Sequence, residues 1–294
     1  MKIKYIILNV LLLASISACS LSDFEENYRD PSKLSETTVG KQFSGMMFTN
    51  REYVLPSYWN YFVVHRITSN RFNQTVGWVN AENQYVPGGA AIGDRWNNYY
   101  SFLAQYREIE KVYNNLSDVE KQDNRIYMIA AATYFYDHTQ QVVDLHGDIP
   151  WSKAGMLSTN GGDYSKSYAS YDKATDIYTK MLNDLKAFAD ELNSITVKNA
   201  VLVEFRTQDL INRGDLQLWK VYVNSLRLRM LTRVSSSSAF QARADQEIGA
   251  ILSNPSSYPI ASSNATNAPP SDSGSAARIV TGCRKALNSS TSTM

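Results

Sequence analysis

Residues 128–136 read Met128-Ile129-Ala130-Ala131-Ala132-Thr133-Tyr134-Phe135-Tyr136, without a single charge. At a period of 3.6 residues these side chains fall on every face, and a helix that is apolar nearly all round has to be enclosed by other elements. The stretch is therefore read as a buried spine. Its helix is predicted to open at Ser117-Asp118-Val119-Glu120, which has capping-box spacing, and to run to about Leu145. Gly147 can adopt the left-handed turn that follows a helix end, and Pro150 cannot continue the helix.

Working outward, residues 94–116 place Tyr99, Phe102, Leu103, Tyr106, Ile109, Tyr113 and Leu116 on one face, with Asp94 as a plausible N-cap. After a Gly, Ser and Tyr-rich loop at 151–169, a third strong helix is predicted over 172–193, with Ile177, Met181, Leu185, Phe188 and Leu192 in a stripe. A fourth begins at Asp215 and turns Trp219, Tyr222, Leu226, Met230 and Val234 inward, and a weaker helix follows over 239–252. Segments 33–49 and 53–70 are also read as helical. Seven helices with no convincing strand series give an all-α fold of stacked helical hairpins with long loops. No sharp tetratricopeptide consensus is visible, and a degenerate helical-repeat array accounts best for so many amphipathic pairs.

The chain has 294 residues and a net charge of +1, so no basic stripe is available to replace phosphate counterions and nucleic-acid binding is excluded as an expectation. Cys19 and Cys283 are its two cysteines, too few for a disulfide framework. Tyrosine supplies 19 of the aromatic side chains beside 5 Trp and 10 Phe, which suits both helix interfaces and sugar-binding surfaces. Residues 259–294 contain no aromatic and turn to Ser, Thr, Asn, Ala and Pro without a period, which reads either as a natural disordered tail or as an aberrant end of the reading frame.

The amino terminus carries Lys2 and Lys4, an apolar run from Tyr5 to Ala14 and the small-residue site Ile16-Ser17-Ala18-Cys19. This is the processing pattern of a bacterial lipoprotein, with a plain secretory signal or a signal anchor as the alternative. On the first reading residues 1–18 are a signal peptide, Cys19 is lipidated, residues 19–32 form a tether, 33–258 the helical domain and 259–294 a low-complexity tail. Several acyl chains on one residue give a durable anchor, each buried methylene contributing about 0.8 kcal/mol. No second apolar run of transmembrane length follows residue 19.

Two segments carry a family resemblance. Asp144-Leu145-His146-Gly147-Asp148-Ile149-Pro150 follows the long buried helix, and Gly214-Asp215-Leu216-Gln217-Leu218-Trp219-Lys220 runs into Asn224-Ser225-Leu226-Arg227-Leu228-Arg229. With the lipoprotein cysteine, the Trp96-Asn97-Asn98-Tyr99-Tyr100 helix start and Ile251-Leu252-Ser253-Asn254-Pro255 in the same order, the chain resembles SusD-like (SusD/RagB) outer-membrane lipoproteins. The resemblance implies a tetratricopeptide-like helical architecture and a lipid-anchored protein at the outer membrane, facing the extracellular side. It further implies that the protein binds glycan nutrients and passes them to a SusC-like TonB-dependent transporter, acting as a receptor and not an enzyme, with no cofactor. His146 departs from the family's usual Tyr or Phe. Family members are much longer, so the C-terminal part of the fold and of the ligand surface is expected to be missing.

The residues themselves offer no catalytic centre. His65, His138 and His146 lack metalloprotease spacing. Asp144, His146 and Asp148 alternate and could converge on a cation, but they serve equally as a helix stop with its hydrogen bonds. Gly88-Gly89-Ala90-Ala91-Ile92-Gly93 lacks the lysine of a phosphate loop. Arg227, Arg229 and Arg233 could hold an acidic ligand, although arginines at helix interfaces are more often paired internally. No metal ligand set is assigned.

Ligand contacts are sought in loops. The segment 71–93 carries Asn73, Gln74, Trp78, Asn80, Asn83 and Tyr85, combining flat apolar faces for sugar rings with amides for their hydroxyls. Trp151, Tyr164 and Tyr168 form a second set, and either tryptophan could instead be a buried anchor. The same fold binding peptides or another nutrient, or serving as a helical adaptor with no small ligand, remains the alternative.

Overall fold

A computed structural model describes residues 37–54, 58, 61–62, 65–66, 69–75 and 89–262. The signal peptide, Cys19, the tether and residues 263–294 lie outside the described residues, as does much of the helix expected over 53–70.

The described elements are almost entirely helical. Helix α1 (Val39–Thr49) is capped by the Thr38 hydroxyl, which accepts from the Lys41 N–H, and buries Val39, Phe43, Met46 and Met47 on one face. A 3-10 turn follows at Arg51–Tyr53. Helix α2 (Gly89–Asn114) begins before the expected N-cap, so Asp94 lies inside it and accepts instead from the Tyr53 hydroxyl. Its predicted stripe is buried at Tyr99, Phe102, Leu103, Tyr106 and Ile109, with Tyr113 and Leu116 packed at the margin.

The capping box at Ser117 and Glu120 is present, but the helix it opens is short: α3 (Asp118–Asp123) ends at Asn124, and α4 (Arg125–His146) starts afresh. The single helix expected over 117–145 is thus two. The Lys121 carbonyl accepts from the Tyr113 hydroxyl at 2.8 Å, and the backbone at Asn124 turns to φ −92° and ψ 7°, which ends α3.

Helix α4 is the spine, and it is buried without interruption from Ile126 to Gln140, further than the apolar stretch that predicted it. It contacts α1, α2 and α3 as well as α5 (Ala174–Glu191) and α7 (Leu216–Val234). Helix α7 also packs on α5 and on α8 (Gln241–Ser253), and α1 packs on α6 (Asn199–Gln208). Helix α6 has no counterpart in the sequence reading, because Phe205 is its one buried residue and no stripe marks it. The loop after α4 contains a two-residue antiparallel pair, β1 (Ile149–Pro150) with β2 (Tyr171–Asp172). No described helix is long and apolar enough to cross a membrane.

Both sequence motifs are structural joints. Gly147 ends α4 at φ 75°, Asp144 accepts from the Tyr178 hydroxyl at 2.5 Å and from Arg233 at 3.1 Å, and Asp148 accepts the first free N–H of α5, from Ala174, at 2.8 Å. In the second motif Asp215 caps α7 by accepting from the Gln217 and Leu218 N–H groups. Gly214 sits at φ 71° against Arg206, where an added Cβ would lie 2.9 Å from that residue's backbone. Trp219 is fully buried and donates its indole N–H to Asp209 at 2.7 Å.

The buried spine also encloses His138, which touches the rings of Phe102 and Tyr134 and finds no hydrogen-bond partner among the described residues for either nitrogen. Burial, reinforced by the nearby positive charges of Arg95 and Arg229 and opposed by Asp137, lowers its pKa from 6.5 to about 3. Between those limits the unfolded chain binds a proton that the folded chain refuses, so stability rises with pH across the window and falls as pH drops below 6.5. We expect unfolding midpoints in urea to fall steadily from pH 6.5 towards 3.5, by up to about 1.4 kcal/mol per pH unit from this group. His138→Phe should flatten that slope, and an unchanged slope would contradict the assignment.

Candidate functional site

The N-terminal half of α2 and the turn after α1 bound an open cleft of about 480 Å³, lined among the described residues by Glu52, Tyr58, Asp94 and Asn98. The polar side is built on fixed elements. Asp94 is held by the Tyr53 hydroxyl, and the Asn98 amide donates to Asn50, whose own amide donates to the buried Tyr134 hydroxyl. The Arg95 guanidinium lies 4.6 Å from the centre of the Tyr53 ring and donates to Gln141, and burial lowers its pKa. The Tyr53 hydroxyl is pushed up in turn by burial and by Asp94, so it stays protonated and donates.

The apolar side is exposed. Tyr58 stacks on Phe62 with ring centres 4.6 Å apart, Tyr61 meets Phe62 edge-on at 4.8 Å, and Tyr58 is 73% exposed. A cleft with carboxylate and amide groups on one wall and a solvent-facing ring on the other can accept hydrogen bonds from hydroxyls while a flat C–H face lies on the ring.

The sequence-predicted residues are distributed differently. Trp78, Asn80, Asn83 and Tyr85 lie outside the described residues. Asn73 is exposed in the turn after a single helical turn at Ser69–Phe72, and Gln74 beside it has φ 55°. Trp151 is 7% exposed and lies parallel to Phe135 at 6.4 Å, so its indole is a core anchor and is not presented to a ligand. Tyr164 and Tyr168 are exposed on the loop between β1 and β2. None of Asn73, Trp151 or Tyr164 belongs to the described lining of the cleft. Glu52, Tyr58, Asp94 and Asn98 were missed. The signal that could have found them is the aromatic run Tyr58-Trp59-Asn60-Tyr61-Phe62, which a helical reading absorbs as core.

Asp144, His146 and Asp148 do not converge: the two carboxylates serve separate helix ends, and His146 packs edge-on against Trp96 at 5.0 Å. Among the described residues no group of three His, Cys, Asp or Glu side chains could hold a metal ion. The arginines of α7 are paired internally, Arg227 with Glu247, Arg229 with Asp137 and Arg233 with Asp144.

A SusD-like family model described as "Starch-binding associating with outer membrane" matches residues 31–285. The chain belongs to the SusD-like family. Solved structures share its helical architecture, among them a chitin-binding protein at 24% identity and TM-score 0.56, matched over 76% of this chain and 45% of that one. A SusD-like protein from Bacteroidetes AC2a matches at 22% identity and TM-score 0.57, over 79% of this chain and 39% of that one. A SusD homologue from Bacteroides fragilis NCTC 9343 matches at 15% identity and TM-score 0.53, over 79% and 43% respectively. The SusD-like chain therefore spans less than half the length of these structures. No curated protein matches the sequence.

Proposed function

We propose that this SusD-like protein is a surface receptor of the outer membrane, anchored through lipid on Cys19, that binds glycans and delivers them to a SusC-like TonB-dependent transporter without enzymatic turnover. The observation that carries the reading is the cleft at the start of α2, where the exposed Tyr58 ring faces the hydrogen-bonding groups of Asp94 and Asn98 in a chain of a family described as starch-binding. The lipoprotein pattern at residues 16–19 supports the anchor and the tether at 19–32.

The ligand-loop candidates are proposed for the same site on chain connectivity. Tyr85 is four residues from Gly89, a reach of at most about 14 Å, and Gly89 opens the helix that carries Asp94 and Asn98. Trp78, Asn80, Asn83 and Tyr85 are therefore proposed as further contacts, with Asn73 and Tyr164 as outlying ones.

Titration of the full chain against a panel of polysaccharides tests the reading. Tyr58→Ala and Trp78→Ala are each expected to weaken binding about tenfold, the loss of one stacking ring at roughly 1.4 kcal/mol. Tyr58→Ala should leave the unfolding midpoint unchanged, because the Tyr58 side chain is largely exposed. Unaltered affinity in both would remove the cleft from the binding site.

A further inference from the structure

We propose that α2 carries a second glycan platform on the margin opposite the cleft, formed by Trp96, Tyr100, His146 and Tyr171, and that one polysaccharide chain occupies both. The inference rests on the glycan-binding reading and adds a site to it. Trp96 and Tyr100 are half-buried with ring centres 4.8 Å apart, and the half-buried His146 ring lies 5.0 Å from Trp96. The Tyr100 hydroxyl donates to the Pro150 carbonyl at 2.9 Å, and Pro150 pairs with Tyr171 across the two short strands. Tyr171 itself is 67% exposed. Burial pushes the Tyr100 hydroxyl above its usual range, and Tyr171 and Asp172 add to the rise, so the two phenols are neighbours. The rings thus run as one strip from the end of α4 across α2 to β2.

Side-chain directions on α2 separate this strip from the cleft. At about 100° per residue, Asp94 and Asn98 point about 160° away from Trp96 and Tyr100. The buried Tyr99, Phe102 and Leu103 fill one arc between the two margins, and Gly93, Asn97 and Ser101, all exposed, fill the other. Short side chains on that outer arc put no obstacle between the margins, which are about 10–12 Å apart across the helix. A sugar ring lays its C–H face on an aromatic side chain, and the Asn97 amide can meet its hydroxyls on the path between. Unlike Trp151, which the core encloses, these rings reach the surface. A polymer held at one margin is presented to the other at high effective concentration, so two weak platforms act as one strong site.

The test is calorimetric titration of the full chain with whichever polysaccharide of the panel binds, and with a short oligosaccharide cut from it. The oligosaccharide is expected to fill two sites per chain, Tyr171→Ala weakening one and Tyr58→Ala the other. The polysaccharide should bind at least about a hundredfold more tightly than the oligosaccharide, and either variant should erase about tenfold of that gain. The urea midpoint of Tyr171→Ala should match that of the unaltered chain, because the ring is largely exposed. Polysaccharide binding that Tyr171→Ala leaves unchanged overturns the inference and leaves the glycan reading standing. Equal affinity for polymer and oligosaccharide overturns the shared occupancy. A panel on which no polysaccharide binds overturns both the inference and the reading it rests on.

Discussion

Asp209→Ala is expected to lower the free energy of unfolding by about 3–5 kcal/mol, read as a shift in the urea midpoint at constant slope. Asp209 was invisible as a special residue in the sequence, yet it organises the turn that leads into α7. One carboxylate oxygen accepts from the Ile211 and Asn212 N–H groups at 2.9 and 3.1 Å. The other accepts from the Gly214 N–H at 2.8 Å and the Trp219 indole at 2.7 Å. The side chain is 2% exposed, and burial pushes its carboxyl above the usual range against the pull of those four donors.

Alanine removes the acceptor and leaves the donors in place, and each buried donor without a partner costs about 1–3 kcal/mol. Relief of a buried charge offsets part of the loss, which is why the sum is not taken at its upper end. Trp219→Phe removes only one donor and a small part of the ring, so it should cost about 1–2 kcal/mol. A loss for Asp209→Ala no greater than that for Trp219→Phe would show that the turn does not depend on the carboxylate.

The second large effect is expected at the seam between α4 and α7. Asp137 is buried, accepts from Arg229 at 2.5 Å and from the Tyr222 hydroxyl at 2.6 Å, and is approached by the Gln141 amide at 3.3 Å. Arg229 also donates to Gln140 at 2.9 Å, and its side chain is 12% exposed. Burial pushes the Asp137 carboxyl up, but the Arg229 charge and the hydrogen bonds from Arg229 and Tyr222 outweigh it and hold the carboxyl below its usual range, so the pair is ionised at neutral pH.

Removing one member strands the other, and Asp137→Ala or Arg229→Ala should each cost about 3–5 kcal/mol. Replacing both, as in Asp137→Leu with Arg229→Met, removes two desolvated charges together and should cost far less than the sum of the single changes. A double-mutant cycle by chemical denaturation measures the difference. Additive losses, with no coupling of at least about 1 kcal/mol, would mean that the two charges do not stabilise one another.

The comparison of sequence with structure separates local from distant causes. The capping box at Ser117 and Glu120, the helix start at Asp215 and the stop at Gly147 were legible because each is settled within about four residues of itself. The stripe of α2 was legible because one face of a helix repeats. The break at Asn124 was not, since nothing in composition tells that the backbone turns there or that the Tyr113 hydroxyl reaches the Lys121 carbonyl. Helix α6 escaped for the opposite reason: it buries one residue and repeats nothing.

The candidate site was less legible than the fold. The loop search found residues of suitable chemistry at 73–85, while the cleft draws on positions 52, 58, 94 and 98 from three separate segments. Asp94 looked like a helix cap, and only the approach of Tyr53 turns it into part of a wall. Trp151 had the chemistry of a sugar platform, and the layer formed by Phe135 and Tyr136 buries it.

By itself the sequence determined that the described chain is helical, that α4 stops at Gly147 and that α4 is enclosed, because periodicity, glycine and proline act over one or two turns. Only the tertiary structure decided that Asp137, His138 and Gln140 on that enclosed helix are buried too, and that Arg229 reaches across to pair with one of them. Burial of a polar group is stable when its partner arrives from elsewhere in the chain, and that arrival is a property of how helices pack.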